Sequence, residues 1–266
     1  LGKAAKEGIS HVSFTGGEPT LHPDLGEILR FAKSCGLKTY LSSNGSSFAS
    51  KSFCQRVLPY IDEICLSIHG PYARIHNTHT SNPESFNKLK RAFLNIENSP
   101  NPVTMFSNTV ITPYNINFLI KIVDFVSQFS KLKHMLFSLV APDGRGLRHF
   151  CRLTPRLGSI TKLVPDLGRL CEKKSIALKF FGIPLCALRN YEGLSNDLYW
   201  SPRITFELWK NYKAIFLKKT RSLRPIRNRV KVHFCKSCIK KRLCGGIFEK
   251  YANIMSQDEI SPYRAL

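Results

Sequence analysis

Residues 11–25 read HVSFTGGEPTLHPDL. The run begins as a short β-prone segment through Phe14. It then turns through Gly16 and Gly17 into a carboxylate, Glu18, and Pro19. Two glycines and an acid at the end of a strand allow the backbone to approach a ligand closely and present a charge to it. What the stretch means depends on whether other strands end in the same way.

Outward from it, residues 1–145 alternate between two textures. β-rich runs occur at ISHVSF, LKTYLSS, IDEICLSI, VTMFSNTVI and KHMLFSLV. Helical patterns lie between them, at 24–35, 48–58, 84–97 and 115–128. In the first, Leu25, Ile28, Leu29 and Ala32 fall at the i, i+3, i+4, i+7 spacing of a buried face, and Gly36 ends the helix. In the last, Phe118, Ile122, Phe125 and Phe129 form an apolar stripe expected to be core. Strands alternating with helices predict βα units and a parallel sheet buried on both faces. Such folds place their chemistry at the carboxyl ends of the strands. Those ends carry Gly16-Gly17-Glu18-Pro19, Ser42-Ser43-Asn44-Gly45 and Ser67-Ile68-His69-Gly70, with Asn108 and Thr109 in the next strand and the loop APDGRG after the one that follows. Each is an ordinary turn taken alone; together they predict a ligand rim. A carboxylate there suits an ammonium group, and small polar residues suit hydroxyls or a carboxylate.

After about residue 150 the rhythm breaks. A helix at 159–174, a strand at IALKF, an irregular segment and a basic amphipathic helix at 203–219 are expected before a cysteine-rich tail. The chain carries 40 Lys+Arg against 18 Asp+Glu, a net charge of +22, and 15 of the cations lie between Arg203 and Lys250 with only Glu207 and Glu249 opposing them. That excess suits a basic surface or an anionic partner such as RNA. No apolar run is long enough for a transmembrane helix, so no membrane role is expected.

Nine cysteines are present. Cys35, Cys54, Cys65, Cys151 and Cys171 lie among apolar neighbours without ligand spacing and read as small core residues of a reducing, cytoplasmic protein. Cys235, Cys238 and Cys244 follow a C-x2-C-x5-C spacing inside HFCKSCIKKRLCGG, and Cys186 precedes them in IPLCAL. Two thiolates three residues apart can grip one metal or cluster, and the surrounding Lys236, Lys240, Lys241 and Arg242 are expected to favour their deprotonation. Zinc and iron–sulfur both satisfy this spacing.

FTGGEPTLHPDL, followed in order by LSSNG, LSIHG and SNTVIT, resembles the core of radical S-adenosylmethionine (radical SAM) enzymes over roughly residues 1–180. The resemblance implies a partial (β/α)6 TIM-like barrel. It implies that Gly16, Gly17 and Glu18 bind the amino group of S-adenosylmethionine, that Ser67 and Asn108 contact its ribose or carboxylate, and that Asn44 assists. The tail, 181–266, is similar to the auxiliary-cluster extensions called SPASM or Twitch. That implies Cys186, Cys235, Cys238 and Cys244 as ligands of one auxiliary [4Fe–4S] cluster.

The family's C-x3-C-x2-C loop, which holds the catalytic [4Fe–4S] cluster, is not among these residues. The expectation is a fragment lacking about one βα unit, with a catalytic cluster in the preceding segment, an exposed sheet edge and no activity as it stands. For the intact enzyme the resemblance implies a 5′-deoxyadenosyl radical, an electron donor and a peptide or protein substrate. Two rival readings remain: an RNA-modifying member of the family, and a non-catalytic binding protein with a zinc knuckle.

Overall fold

The structure is a computed structural model that describes residues 1–210, 215–255 and 257–264. Six strands lie side by side in chain order in one sheet: β1 (His11–Phe14), β2 (Lys38–Ser43), β3 (Glu63–Ser67), β4 (Thr104–Ile111), β5 (Leu132–Leu139) and β6 (Ala177–Phe181). They are the six runs expected from the sequence. β1 pairs with β2, β2 with β3 and β3 with β4, all parallel. The intervening helices are Leu25–Ser34, Lys51–Val57, Ser85–Glu97, Leu119–Val126 and Leu157–Lys173. An additional helix, Ala73–Thr80, follows β3; its polar sequence RIHNTH carries no apolar stripe to reveal it. The chain divides into two compact units, residues 1–137 with 166–178, and residues 138–165 with 179–266.

The core of the first unit is built from the helix stripes and one face of the sheet. Leu25, Leu29 and Ala32 are buried, as are Leu89, Phe93 and Ile96 of the helix Ser85–Glu97. Phe93 stacks on Phe129 at 4.8 Å between ring centroids and meets Phe125 edge-on at 6.0 Å. The sheet itself is not buried on both faces as expected. In β2 and β4 the side chains alternate, and β3 departs from this only at the buried Cys65: Leu41, Ile64, Leu66, Met105 and Ile111 are enclosed, while Tyr40, Ser42, Ser67, Phe106 and Asn108 are half-exposed. A strand's side chains alternate between faces, so one face packs as core and the other stays partly open. Polar residues occupy the open face because it is not closed by apolar packing.

In the second unit the tail is arranged around short elements. β7 (Arg203–Lys210) and β8 (Ile215–Ser222) form an antiparallel pair, and β9 (Arg229–Val230) pairs antiparallel with β10 (Ile247–Phe248). The helix expected over 203–219 is therefore corrected to two strands, with residues 211–214 outside the described set. The β-branched and aromatic residues of RITFELWK and IFLKKT favour a strand over the helical reading. Arg229 forms a buried ion pair with Asp197 and lies over the rings of Phe181 and Phe248 at 4.8 and 5.2 Å. Glu259 accepts hydrogen bonds from the amides of Leu157 and Gly158, both 3.2 Å, and so caps the helix Leu157–Lys173 from far along the chain. No helix among the described residues is long and apolar enough to cross a membrane.

Phe93→Ala is expected to lower stability by about 3–5 kcal/mol, through loss of buried area and the cavity left between Phe125 and Phe129. Urea unfolding checks this; a loss below about 1 kcal/mol would mean that this aromatic cluster is not core.

Candidate functional site

The turn after β1 decides the site. Gly16 adopts φ +95°, a conformation that a side chain rarely permits. No protein atom lies within 4 Å of where a Cβ would project from either Gly16 or Gly17. The two glycines thus bare their backbone to open space. Glu18 then turns back onto the sheet. Its Oε1 accepts from the Thr20 amide at 3.2 Å, the Thr20 hydroxyl at 2.8 Å and the Ser43 hydroxyl at 2.8 Å. Its Oε2 accepts from the Asn44 amide at 2.7 Å. A carboxylate offers about four acceptor sites, two on each oxygen. Oε1 is saturated, while Oε2 keeps one site for an outside donor. Glu18 therefore braces the ends of β1 and β2 together and still has capacity for an ammonium.

The other predicted residues continue this line. Asn44 follows Ser43, which is the register partner of Leu66, and Ser67 is the register partner of Asn108. Glu18, Asn44, Ser67 and Asn108 thus form a row across the ends of four neighbouring segments. With strands about 4.8 Å apart, the row spans about 14 Å. Ser67 and Asn108 are half-exposed on the open face of the sheet. The Asn44 carboxamide is turned along its own loop, where it accepts from the Ser46 amide at 2.8 Å. It offers a ligand less than its neighbours do.

One group near the row was not selected from the sequence. His69 lies two residues beyond Ser67 on the same face. Its backbone is held at both ends: its amide donates to Nδ1 of His76 at 3.1 Å, and its carbonyl accepts from Nδ2 of Asn115 at 3.1 Å. The rings of His76 and His79 stack against it, each at 5.8 Å. Gly70 makes this approach possible, since a Cβ there would fall 2.6 Å from Ile75 and 2.7 Å from the His76 amide. Burial, with the neighbouring His76 and His79, pushes the His69 imidazole down to about 3. Burial and His79 push His76 down to about 4. Both rings are neutral near pH 7. An Asn-Gly or His-Gly turn is too common to flag this cluster; the spacing of three histidines at 69, 76 and 79 was the only available signal.

In the second unit, Cys186, Cys235, Cys238 and Cys244 line one pocket together with Lys231 and Tyr263. Cys186 comes from a short turn, Leu185–Leu188, and Cys235 from another, His233–Ser237. Among the described residues no three His, Cys, Asp or Glu side chains converge on the position of one metal ion. The expected effect of the lysines is corrected. Burial, followed by the Cys244 thiol, raises Cys186 to about 11, and the same two causes raise Cys235. Lys240 pairs with Glu192, and Lys231, which donates to the Lys241 carbonyl at 2.5 Å, lowers the Cys235 thiol by less than burial and Cys244 raise it. Of the five cysteines expected in the core, Cys54, Cys65 and Cys171 are buried. Cys35 is only partly covered, and Cys151 is exposed, because its short helix, Phe150–Leu153, buries Phe150 instead.

The first unit is thus an α/β sheet whose strand ends carry a bare glycine backbone and a row of polar residues. Residues 1–126 match the model of the Radical SAM superfamily. An AdoMet-dependent heme synthase of Oleidesulfovibrio alaskensis is 28% identical over 134 residues, which are 50% of this chain and 34% of that protein. An S-adenosylmethionine-dependent nucleotide dehydratase of Flammeovirga pacifica is 28% identical over 148 residues, 53% of this chain and 48% of that protein. The chain thus spans less than half the length of these relatives. Among solved structures, SuiB of Streptococcus suis is similar with a TM-score of 0.54 and 19% identity, over 74% of this chain and 47% of that one. SuiB bound to S-adenosylmethionine gives 0.51 and 20%, over 67% and 40%. At this identity the likeness is one of fold: a partial TIM-like barrel.

The histidines give a pH dependence with a definite sign. His69 and His76 titrate in the folded chain below their ordinary 6.5. Between the two values the unfolded chain binds more protons, so stability is fully present above about pH 6.5 and declines as the pH falls toward 4. Urea unfolding at pH 7.5, 6 and 5 is expected to show that decline. Equal stability across the series would mean that these rings are not held neutral.

Proposed function

We propose that this chain carries the S-adenosylmethionine site of a radical SAM enzyme and a separate cysteine-lined cluster site. The observation that carries the reading is the row of Glu18, Asn44, Ser67 and Asn108 beside the bare backbone of Gly16 and Gly17. In this reading Glu18 Oε2 accepts from the ligand's ammonium, and the Gly16–Gly17 backbone lies along its amino-acid end. Ser67 and Asn108 bond its ribose or carboxylate. When bound, S-adenosylmethionine would supply the chemistry: one electron from a [4Fe–4S] cluster would cleave its C5′–S bond to methionine and a 5′-deoxyadenosyl radical able to abstract hydrogen. The C-x3-C-x2-C loop that would hold that cluster is not among the 266 residues.

Cys186, Cys235, Cys238 and Cys244 would hold one auxiliary [4Fe–4S] cluster. The four thiols line one pocket, where burial raises those of Cys186 and Cys235, and a cationic cluster would stabilise the set as thiolates. A cluster also asks for sulfurs spread more widely than one ion does, which fits a shared pocket better than a zinc knuckle. For the substrate we favour a peptide or protein. The fold likeness extends to SuiB bound to its precursor peptide SuiA, with a TM-score of 0.50. RNA is the second reading, favoured by the basic pair β7–β8, where Lys218, Lys219 and Arg221 are exposed.

Glu18→Gln is expected to weaken S-adenosylmethionine binding at least tenfold, with thermal unfolding reporting any loss of the brace to Ser43 and Asn44. Wild-type affinity in the variant would overturn the site. After anaerobic purification, replacing Cys235 and Cys238 by Ala is expected to remove about four irons per chain. An unchanged iron content, or zinc in its place, would overturn the auxiliary cluster. Charge reversal at Lys218, Lys219 and Arg221 separates the substrates: a lost, salt-sensitive RNA affinity would favour RNA over a peptide.

A further inference from the structure

The turn that carries Cys244 rests on a buried charge pair. Arg229 belongs to β9, and its pairing partner β10 follows directly on Cys244-Gly245-Gly246. The Arg229 guanidinium engages both oxygens of Asp197: Nη2 donates to Oδ1 at 3.3 Å and Nη1 to Oδ2. The two side chains are 1% and 3% exposed. Among the described residues no other ion pair has both partners so buried.

The glycine turn is seated on this pair. A Cβ at Gly245 would fall 2.8 Å from Arg229 Nη1 and 2.9 Å from Asp197 Oδ2, so a side chain there must displace one or the other. Gly246 adopts φ +85°, and a Cβ on it would fall 2.3 Å from the Val230 carbonyl. In that conformation the Gly246 amide donates to Cys244 Sγ at 3.4 Å. Cys244 and Gly246 both line the cysteine pocket.

A buried ion pair is a poor source of stability, because taking each charge out of water offsets their attraction. Asp197 shows that cost: burial raises its carboxyl in spite of Arg229. What such a pair does supply is geometry. The guanidinium fork fixes the carboxylate, and the rings of Phe181 and Phe248 cover Arg229 at 4.8 and 5.2 Å. Gly245 therefore meets a surface of fixed shape. An N–H bond to a ligating sulfur stabilises the negative charge that a cluster gains on reduction, and so raises its potential.

We propose that Arg229 and Asp197 are positioning residues for the auxiliary cluster: by seating Gly245 they hold the Gly246 N–H on the Cys244 sulfur and keep the cluster's reduction potential high. The proposal rests on the auxiliary-cluster reading above and goes further, in giving the pair beneath the turn a part in tuning that site.

The test uses the full-length protein, purified anaerobically and titrated with a reductant while electron paramagnetic resonance is recorded. The pocket's signal is the one lost when Cys235 and Cys238 are replaced by Ala. Arg229→Lys keeps the charge but loses the fork. It is expected to hold as much iron as wild type and to lower the midpoint of that signal by about 59 mV, tenfold in a one-electron equilibrium. A merely structural pair would change the melting temperature and leave the midpoint alone. Gly245→Ala keeps both charges and presses a methyl group against them. It is expected to move the midpoint the same way, and it decides the matter if Arg229→Lys fails to fold or to load iron. A wild-type midpoint in a folded, iron-loaded variant would overturn the proposal. If replacing Cys235 and Cys238 removes no iron, the auxiliary-cluster reading itself falls and takes this one with it.

Discussion

The carboxylate of Glu18 holds the candidate site together. It accepts four hydrogen bonds, from Thr20, Ser43 and Asn44, and so joins the turn after β1 to the end of β2. Charge-assisted bonds of this kind are stronger than neutral ones. Their effect is to fix the Gly16–Gly17 backbone relative to the sheet, although neither glycine is packed against anything itself. A flexible loop would have to be ordered when a ligand arrives. This one is ordered beforehand by a group that still has one acceptor site to offer.

The sheet supplies the rest of the constraint. Parallel register brings Ser67 opposite Asn108 and sets Asn44 beside them. The half-exposed face of β2 to β4 then presents a line of polar groups with a carboxylate at one end and stacked neutral histidines at the other. In the proposed reading, polarity along that line sets the direction in which S-adenosylmethionine would lie. In the second unit the cysteine pocket follows another logic. Lys240 is engaged with Glu192 and Lys231 with a backbone carbonyl, and burial is the largest influence on the Cys186 and Cys235 thiols.

Much of this was legible in the sequence because the information is local. Apolar periodicity located six strands and five helices, and the Gly-Gly-Glu-Pro turn marked the strand end that matters. Other features are not local. The brace from Glu18 to Ser43 and Asn44 depends on register between strands, and no spacing in the sequence encodes it. His69 looked like an ordinary turn residue because its two stacking partners come from a helix without an apolar stripe. The residues of β7 and β8 satisfy a helical stripe and a strand alternation about equally. Their pairing with each other decided for the strand.

The central claim is that the four-residue row binds S-adenosylmethionine in one orientation. A crystal structure of the full-length protein grown anaerobically with S-adenosylmethionine tests it most directly. The account predicts the amino group of the ligand within hydrogen-bond distance of Glu18 Oε2 and the Gly16–Gly17 backbone, with the nucleoside reaching Ser67 and Asn108. A ligand bound in the reverse sense, or seated away from these strand ends, would contradict it.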